Sequence, residues 1–133
     1  MTNLELVFPE IFLSLSIMFL LILGVFKKDS SKMIQNISLI ILLSTAVISF
    51  NETLGIKETF LFNSSIIIDY LSSFMKIITL LAAFLVLVIS TNYLKTFKIF
   101  KIEYPILILS SVLGMMIMIS SNDLIVFYMG LEL

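Results

Sequence analysis

The chain has 133 residues, of which 60% are hydrophobic and 13% are charged, and its formal net charge is −1. A soluble domain carries about 25% charged residues, so this composition predicts a multi-pass membrane protein, and the small net charge provides no field that would attract nucleic acid. Cys and His are absent. The usual ligands of haem, iron–sulfur clusters and zinc are therefore missing, and we expect any electron transfer to take place on other chains.

Four apolar segments are long enough to span a bilayer, which takes about 20 residues with a range of about 17–25. The predicted helices cover residues 6–26, 33–50, 70–94 and 104–120, and the first part of a fifth helix follows over 124–133. Pro9 lies near the start of the first helix, where its missing N–H costs least. Lys27 and Lys28 follow this helix rather than precede it, which favours a retained helix over a cleaved signal peptide.

The ends of the later helices carry recognisable signals. Tyr70 and Tyr93 bracket the third helix, as aromatic residues at the two membrane interfaces do. Ser120 and Asp123 have the spacing of a capping box, which predicts that a new helix begins at Leu124. Ten residues cannot cross a bilayer, so we expect residues 1–133 to be a single membrane domain and the N-terminal part of a larger subunit.

The loop between the second and third helices differs from the rest. Two short apolar runs flank Asn63-Ser64-Ser65 within residues 57–69, a pattern that favours a small β-hairpin. An irregular loop is an equally good interpretation, because both runs are short. The predicted fold is thus all-α and polytopic, with a possible hairpin at this one place.

The lysines predict the orientation of the chain. Six of them lie in the loops after the first and third helices: Lys27, Lys28, Lys32, Lys95, Lys98 and Lys101. The opposite loops contain Lys57 alone. Positive charge in short loops marks the cytoplasmic or matrix side of a membrane, so the N-terminus and the possible hairpin are expected to face outward.

Glu132 is the principal candidate site residue, because an ionisable group inside a membrane segment is by default a functional hypothesis. It lies eight residues beyond Leu124, which is about 12 Å along a helix and close to half of the ~30 Å hydrocarbon layer. A carboxyl group at this depth suits a proton relay, since a movable cation can switch it between its protonated and ionised forms. The alternative is a solvated charge at a true C-terminus, which would leave helix carbonyls unpaired in lipid.

Lys76 is the second candidate. It lies six residues into the third helix and seven after Asp69, on the same helical face. Its side chain can extend to the interface, as lysines near helix ends commonly do, so the sequence leaves open whether Lys76 is functional. The remaining carboxylates are expected at helix ends in contact with water: Glu10, Asp69, Glu103 and Asp123.

Small and flexible residues indicate where helices pack. The methionines within residues 114–118 could suggest a soft-metal or redox patch, but without Cys or His they are better interpreted as adaptable packing residues. Gly24, Gly114 and Gly130 are expected to allow close approach between helices.

One string, LGMMIMISSNDLIVFYMGLEL (113–133), closely resembles the start of the proton-channel region in the N subunit of bacterial NADH:quinone oxidoreductase. This family corresponds to mitochondrial NADH dehydrogenase subunit two of respiratory complex I. Four further strings resemble the first four helices of the same family: PEIFLSL (9–15), LILGVF (21–26), IDYLSSFMKIITLL (68–81) and FKIEYPILIL (100–109). The resemblance therefore covers the whole chain.

The resemblance implies a fourteen-helix protein with two inverted five-helix repeats. It also implies that Glu132 corresponds to an essential proton-transfer group, whose lysine partner on the seventh helix lies outside this sequence. NADH, FMN, iron–sulfur clusters and quinone would be bound by partner subunits of the membrane-embedded complex. The location would be a bacterial inner membrane or, alternatively, the mitochondrial inner membrane.

Two other functions remain open at the level of sequence. Multisubunit sodium/proton antiporters are similar to this family and carry an acid on the same helix, so the chain could belong to a transporter with no link to redox chemistry. A purely structural membrane anchor is the third hypothesis. It predicts that replacing Glu132 by Gln leaves proton pumping intact.

Overall fold

A computed structural model describes residues 7–26, 31–54, 59–61, 66–97 and 103–133. The helices are α1 (Phe8–Phe26), α2 (Ser31–Thr53), α3 (Tyr70–Phe97), α4 (Glu103–Ser120) and α5 (Leu124–Glu132), and the strands are β1 (Thr59–Leu61) and β2 (Ile66–Ile68). All the predicted helices are present, and their ends lie within three residues of the predicted ones. The all-α membrane class is confirmed.

Among the described residues, three helices are long and apolar enough to cross a membrane by length and composition, namely α1, the part of α2 from Lys32 onward, and α3 up to Tyr93. The apolar part of α4, Tyr104–Ser120, is shorter and lies at the lower limit of the spanning range. Of the 18 most apolar consecutive residues of α2, 39% are buried, against 22% in the corresponding stretches of α1 and α3. The second helix is therefore the most enclosed of the three.

Each of the first four helices contributes a narrow stripe to one core. The stripes consist of Leu13, Ile17 and Leu20 on α1; Ile34, Ile41 and Leu42 on α2; Leu80, Ala83 and Leu87 on α3; and Ile106, Leu109, Val112 and Met116 on α4. Many other large apolar side chains are exposed. In lipid this exposure is no penalty, because lipid tails are as apolar as these side chains. Membrane helices associate through close packing and hydrogen bonds rather than through the hydrophobic effect.

Polar contacts tie the helices together near one end of the bundle. The Gln35 side chain on α2 donates hydrogen bonds to Thr91 Oγ1 at 2.6 Å and to the Leu87 carbonyl at 3.3 Å, both on α3. Ser90 Oγ on α3 lies 2.9 Å from Tyr104 Oη on α4. These contacts join α2 to α3 and α3 to α4. They involve side chains, because the backbone polar groups of a membrane helix are otherwise hydrogen-bonded within that helix.

The hairpin predicted around Asn63 is confirmed. Strands β1 and β2 pair antiparallel, with Thr59 opposite Ile68 and Leu61 opposite Ile66, while residues 62–65 lie outside the described part of the chain. Val7, just before α1, packs against Ile68, and Ile66 forms a bridge with Ser121 in the turn between α4 and α5. The start of α1, the hairpin and the α4–α5 turn thus lie at one end of the bundle, called here the hairpin end.

The lysine-bearing loops follow α1 and α3 in the sequence. Residues 27–30 and 98–102 of those loops lie outside the described ranges. The alternation of helix directions agrees with the predicted topology, whereas the side of the membrane to which each end belongs stays a prediction from the lysine distribution.

The fifth helix begins at Leu124 as predicted, but not through a capping box. Asp123 is the N-cap residue, with extended backbone, and its side chain makes no cap hydrogen bond. Its carbonyl accepts the Phe127 N–H at 3.0 Å. Ser120 is still the last residue of α4, and its buried hydroxyl has no partner among the described residues. The box is absent because Ser120 ends one helix rather than preceding the next.

Candidate functional site

The position of Glu132 depends on a close contact between α4 and α5. A Cβ atom added to Gly114 would lie 2.7 Å from the carbonyl oxygen of Gly130 and 3.3 Å from Leu133 Cβ. A Cβ added to Gly130 would lie 2.7 Å from Met118 Cγ and 3.0 Å from the Gly114 oxygen. The prediction that Gly114 and Gly130 permit close approach is confirmed, and Met118 fills space in this contact as the sequence suggested.

Glu132 points away from that contact. Two residues along an α-helix correspond to a rotation of about 200°, so Glu132 projects from the face of α5 opposite to Gly130. Its side chain is exposed, and no hydrogen bond or ion pair joins its carboxylate to any described residue. The neighbouring exposed side chains are apolar: Tyr128, Met129, Leu131 and Leu133.

The structure places Lys76 neither beside Asp69 nor extended into water, the two environments that its sequence position suggested. It lies on the buried stripe of α3, one turn before Leu80, and its side chain is 6% exposed. Its ammonium group forms an ion pair with Glu10 on α1, whose side chain is 13% exposed. Since helical side chains lean toward the helix N-terminus, Lys76 reaches the start of α1 at the hairpin end.

The structure differs from the sequence interpretation at three residues, Asp69, Lys76 and Glu10. Asp69 is not the partner of Lys76, because its carboxylate accepts the Ser72 N–H at 2.7 Å and thereby caps α3. The lysine does not extend into water, since it is buried with its charge compensated by Glu10. Glu10 itself was expected in contact with water and is instead largely enclosed. The two groups can be buried together because each compensates the charge of the other, whereas either charge alone would be strongly destabilising.

Glu52 adds a third charge at the hairpin end. It lies one residue before the end of α2, is partly buried, and interacts electrostatically with both Glu10 and Lys76. The three residues come from α1, α2 and α3, and the contact among them is the ion pair of Lys76 with Glu10. This cluster, defined by Glu10, Glu52 and Lys76, is called here the charged cluster.

Sequence reasoning missed Glu10 and Glu52 as members of a site. The repeat of Lys76, Leu80, Ala83 and Leu87 has the spacing of a single buried helical face, but it concerns Lys76 and not the two acids. It was obscured because α3 is apolar on all sides, so periodicity could not distinguish the buried face from the lipid-facing one.

Fold and site define an all-α, multi-pass membrane protein that carries ionisable groups within its helices. Comparison with known proteins narrows this class. The chain is 61% identical over all 133 residues to NADH-quinone oxidoreductase subunit N of Pelagibacter ubique, covering 28% of that protein. It is 39% identical over 127 residues, 96% of the chain and 26% of the relative, to the subunit of the same name from Paramagnetospirillum magneticum.

A third relative, from Bartonella bacilliformis, has the same name and is 38% identical over 132 residues, 98% of the chain and 26% of the relative. No protein-family model matches the chain. The chain is therefore similar over its whole length to subunit N of bacterial NADH-quinone oxidoreductases, and it spans about a quarter of the length of these relatives. Their bacterial origin, together with the apolar helices, supports a multi-pass protein of a bacterial inner membrane.

Proposed function

We propose that the chain forms the N-terminal part of the proton-translocating membrane subunit of an NADH-quinone oxidoreductase, with Glu132 as a proton-transfer group. The observation that carries the proposal is the similarity to subunit N over the whole chain, at 61% identity to one relative. Other membrane-arm subunits and the lipid bilayer are the proposed partners. NADH, FMN, iron–sulfur clusters and quinone are bound by those partner subunits.

The surroundings of Glu132 support its role. It is surrounded by exposed apolar side chains on α5, and a charged group facing hydrocarbon at this depth costs several kcal/mol. This face of α5 therefore packs against protein that supplies a cation. The Gly114–Gly130 contact holds the opposite face of α5 against α4 and keeps the carboxylate at a constant position.

The proposed mechanism is electrostatic. A cation close to Glu132 favours the ionised carboxylate, and removal of that cation in a low-dielectric environment favours the protonated acid. Redox chemistry on partner subunits changes the position of the cation, so that Glu132 takes up a proton from one side and releases it toward the other. The hairpin end faces outward in this scheme, as the lysine-rich loops at the other end indicate.

The test is Glu132→Gln in the complete subunit within the assembled complex. Glutamine is similar in size but carries no exchangeable acid proton, so NADH-driven proton pumping into vesicles should fall by about 100-fold or more, the loss expected on removal of an acid–base group. Subunit content of the purified complex is measured in parallel. Asp123→Asn is the control, because it removes an exposed carboxylate from the start of the same helix and should leave pumping at the parent level.

Unchanged pumping by an assembled Glu132→Gln complex would show that Glu132 serves only as part of a membrane anchor. Proton flux that depends on sodium and requires no NADH would instead identify an antiporter subunit. Co-purification with flavin-bearing and iron–sulfur-bearing chains, together with loss of pumping, supports the proposal over both alternatives.

A further inference from the structure

The two polar side chains of α5 lie on one face of that helix. The helix has the sequence LIVFYMGLE, in which only Tyr128 and Glu132 carry an oxygen or nitrogen atom in the side chain. At about 100° per residue, Tyr128 and Glu132 lie about 160° and 200° around the helix from Gly130. They are therefore about 40° apart, on either side of the direction that points straight away from the α4 contact.

Both side chains project into the same space. Tyr128 is 63% exposed, and Glu132 is exposed as well. The helix is regular at this place, since the Leu133 N–H donates to the Met129 carbonyl at 3.2 Å. Residues four apart on such a helix have Cβ atoms about 5–6 Å from each other. The phenol and the carboxylate are thus neighbours by the geometry of the helix itself.

The directions of the side chains bring the two polar groups together. Helical side chains lean toward the helix N-terminus, so the side chain of Glu132 lies over the turn that begins at Tyr128. Because both are exposed, they can rotate freely, whereas protein that covers this face confines them to one space. A tyrosine hydroxyl donates one hydrogen bond, and an ionised carboxylate only accepts. The two groups are therefore complementary.

Tyr128 is the hydrogen-bond donor that α5 offers to Glu132. A hydroxyl or carboxylate removed from water loses its hydrogen bonds with water, at a cost in free energy unless a new partner replaces them. The contacts of α4 with α5 lie on the opposite face. The other large exposed side chains on this side of α5 donate no hydrogen bond: Ile125, Met129 and Leu131.

We propose that Tyr128 is a positioning residue for Glu132. Its hydroxyl donates a hydrogen bond to the Glu132 carboxyl group, directly or through one water, and fixes the direction in which that group faces the covering protein. The hydroxyl keeps its own proton, and the transferred proton is the one that Glu132 binds. This inference rests on the proposed function of Glu132 and adds a second residue to that site.

Tyr128→Phe in the complete subunit of the assembled complex tests the inference, because it removes the hydroxyl and keeps the ring. NADH-driven proton pumping should fall by about 10-fold, the effect of losing a hydrogen bond to a charged group, and by less than in Glu132→Gln. Tyr70→Phe is the matched control, since Tyr70 is 72% exposed at the start of α3 and loses the same hydroxyl. It should pump at the parent level.

Infrared difference spectra between acidic and alkaline media give a readout that a purely structural role would not change. The C=O band that Glu132→Gln removes belongs to the protonated Glu132. A hydrogen bond from an O–H group weakens a C=O bond, so this band should lie at higher wavenumber in Tyr128→Phe than in the parent complex. In Tyr70→Phe it should keep its position.

Parent-level pumping or an unshifted band in Tyr128→Phe would overturn the inference, and so would an equal fall in Tyr70→Phe. Aromatic residues near helix ends can also serve as interfacial anchors. Loss of the subunit from the Tyr128→Phe complex would assign Tyr128 to that role instead.

Failure of this inference is distinguishable from failure of the proposed function. Normal pumping in Glu132→Gln would refute the proposed function, whereas a shifted band in Tyr128→Phe would still show the hydrogen bond. Loss of pumping in Glu132→Gln, together with an unshifted band in Tyr128→Phe, would retain the proposed function and refute the role of Tyr128.

Discussion

Adding one methyl group at Gly114 should separate α4 from α5. The Cβ of alanine would lie 2.7 Å from the Gly130 carbonyl oxygen, and ordinary contact begins at 3.4 Å. The two backbones must therefore move apart by about 0.7 Å, since the obstructing atom belongs to the main chain and cannot rotate away. Overpacking of this kind typically costs about 1–3 kcal/mol.

The displacement has a functional consequence because Glu132 lies two residues from Gly130. A misplacement of about 1 Å can reduce the rate of a positioned reaction by about 100-fold. In the assembled complex, Gly114→Ala should lower NADH-driven proton pumping and reduce the temperature at which the subunit is lost from the detergent-solubilised complex. Both quantities are measured on the same preparation.

Gly130→Ala provides an internal comparison. Its closest obstruction is Met118 Cγ at 2.7 Å, a side-chain atom that rotation about χ1 can move, while the nearest backbone atoms are at 3.0 and 3.1 Å. This variant should be less damaging than Gly114→Ala, and Met118→Ala should partly rescue it without rescuing Gly114→Ala. Ser111→Ala, at an exposed position of α4, should change stability by less than about 0.5 kcal/mol. Equal tolerance of both glycine substitutions would refute the close-contact reasoning.

Three further predictions concern the bundle itself. Removing one partner of the buried ion pair, by Lys76→Met or Glu10→Gln, should lower the free energy of unfolding by about 3–5 kcal/mol, whereas the double variant should be close to neutral. Additive losses in a thermal double-mutant cycle would contradict this prediction. Gln35→Leu should lower the free energy of unfolding by about 0.6 kcal/mol. In a chain that already carries Thr91→Val it should lower it no further, and the same thermal assay measures both values. Ile68→Ala should cost about 2 kcal/mol or more and speed proteolysis at the hairpin; an unchanged cleavage rate would argue against packing of Ile68 on α1.

The sequence alone was sufficient for the membrane class and the helices, whereas it left a hairpin and an irregular loop as equal interpretations of residues 57–69. Runs of about 20 apolar residues leave few alternatives in lipid, because backbone polar groups must be satisfied within each segment. The turn residues around Asn63 favoured the hairpin, and the pairing of β1 with β2 decided between the two interpretations. Gly114 and Gly130 were identifiable as packing positions, since only a residue without a side chain permits such an approach.

The tertiary structure alone decided which charges meet. Lys76 and Glu10 are 66 residues apart, and helices that are apolar on every side give no periodic signal for the face that turns inward. Asp69 was a reasonable partner for Lys76 by helical spacing, but it is used to cap α3 instead. Local patterns thus determine where each helix begins and ends, whereas the pairing of charges depends on how helices distant in sequence pack together.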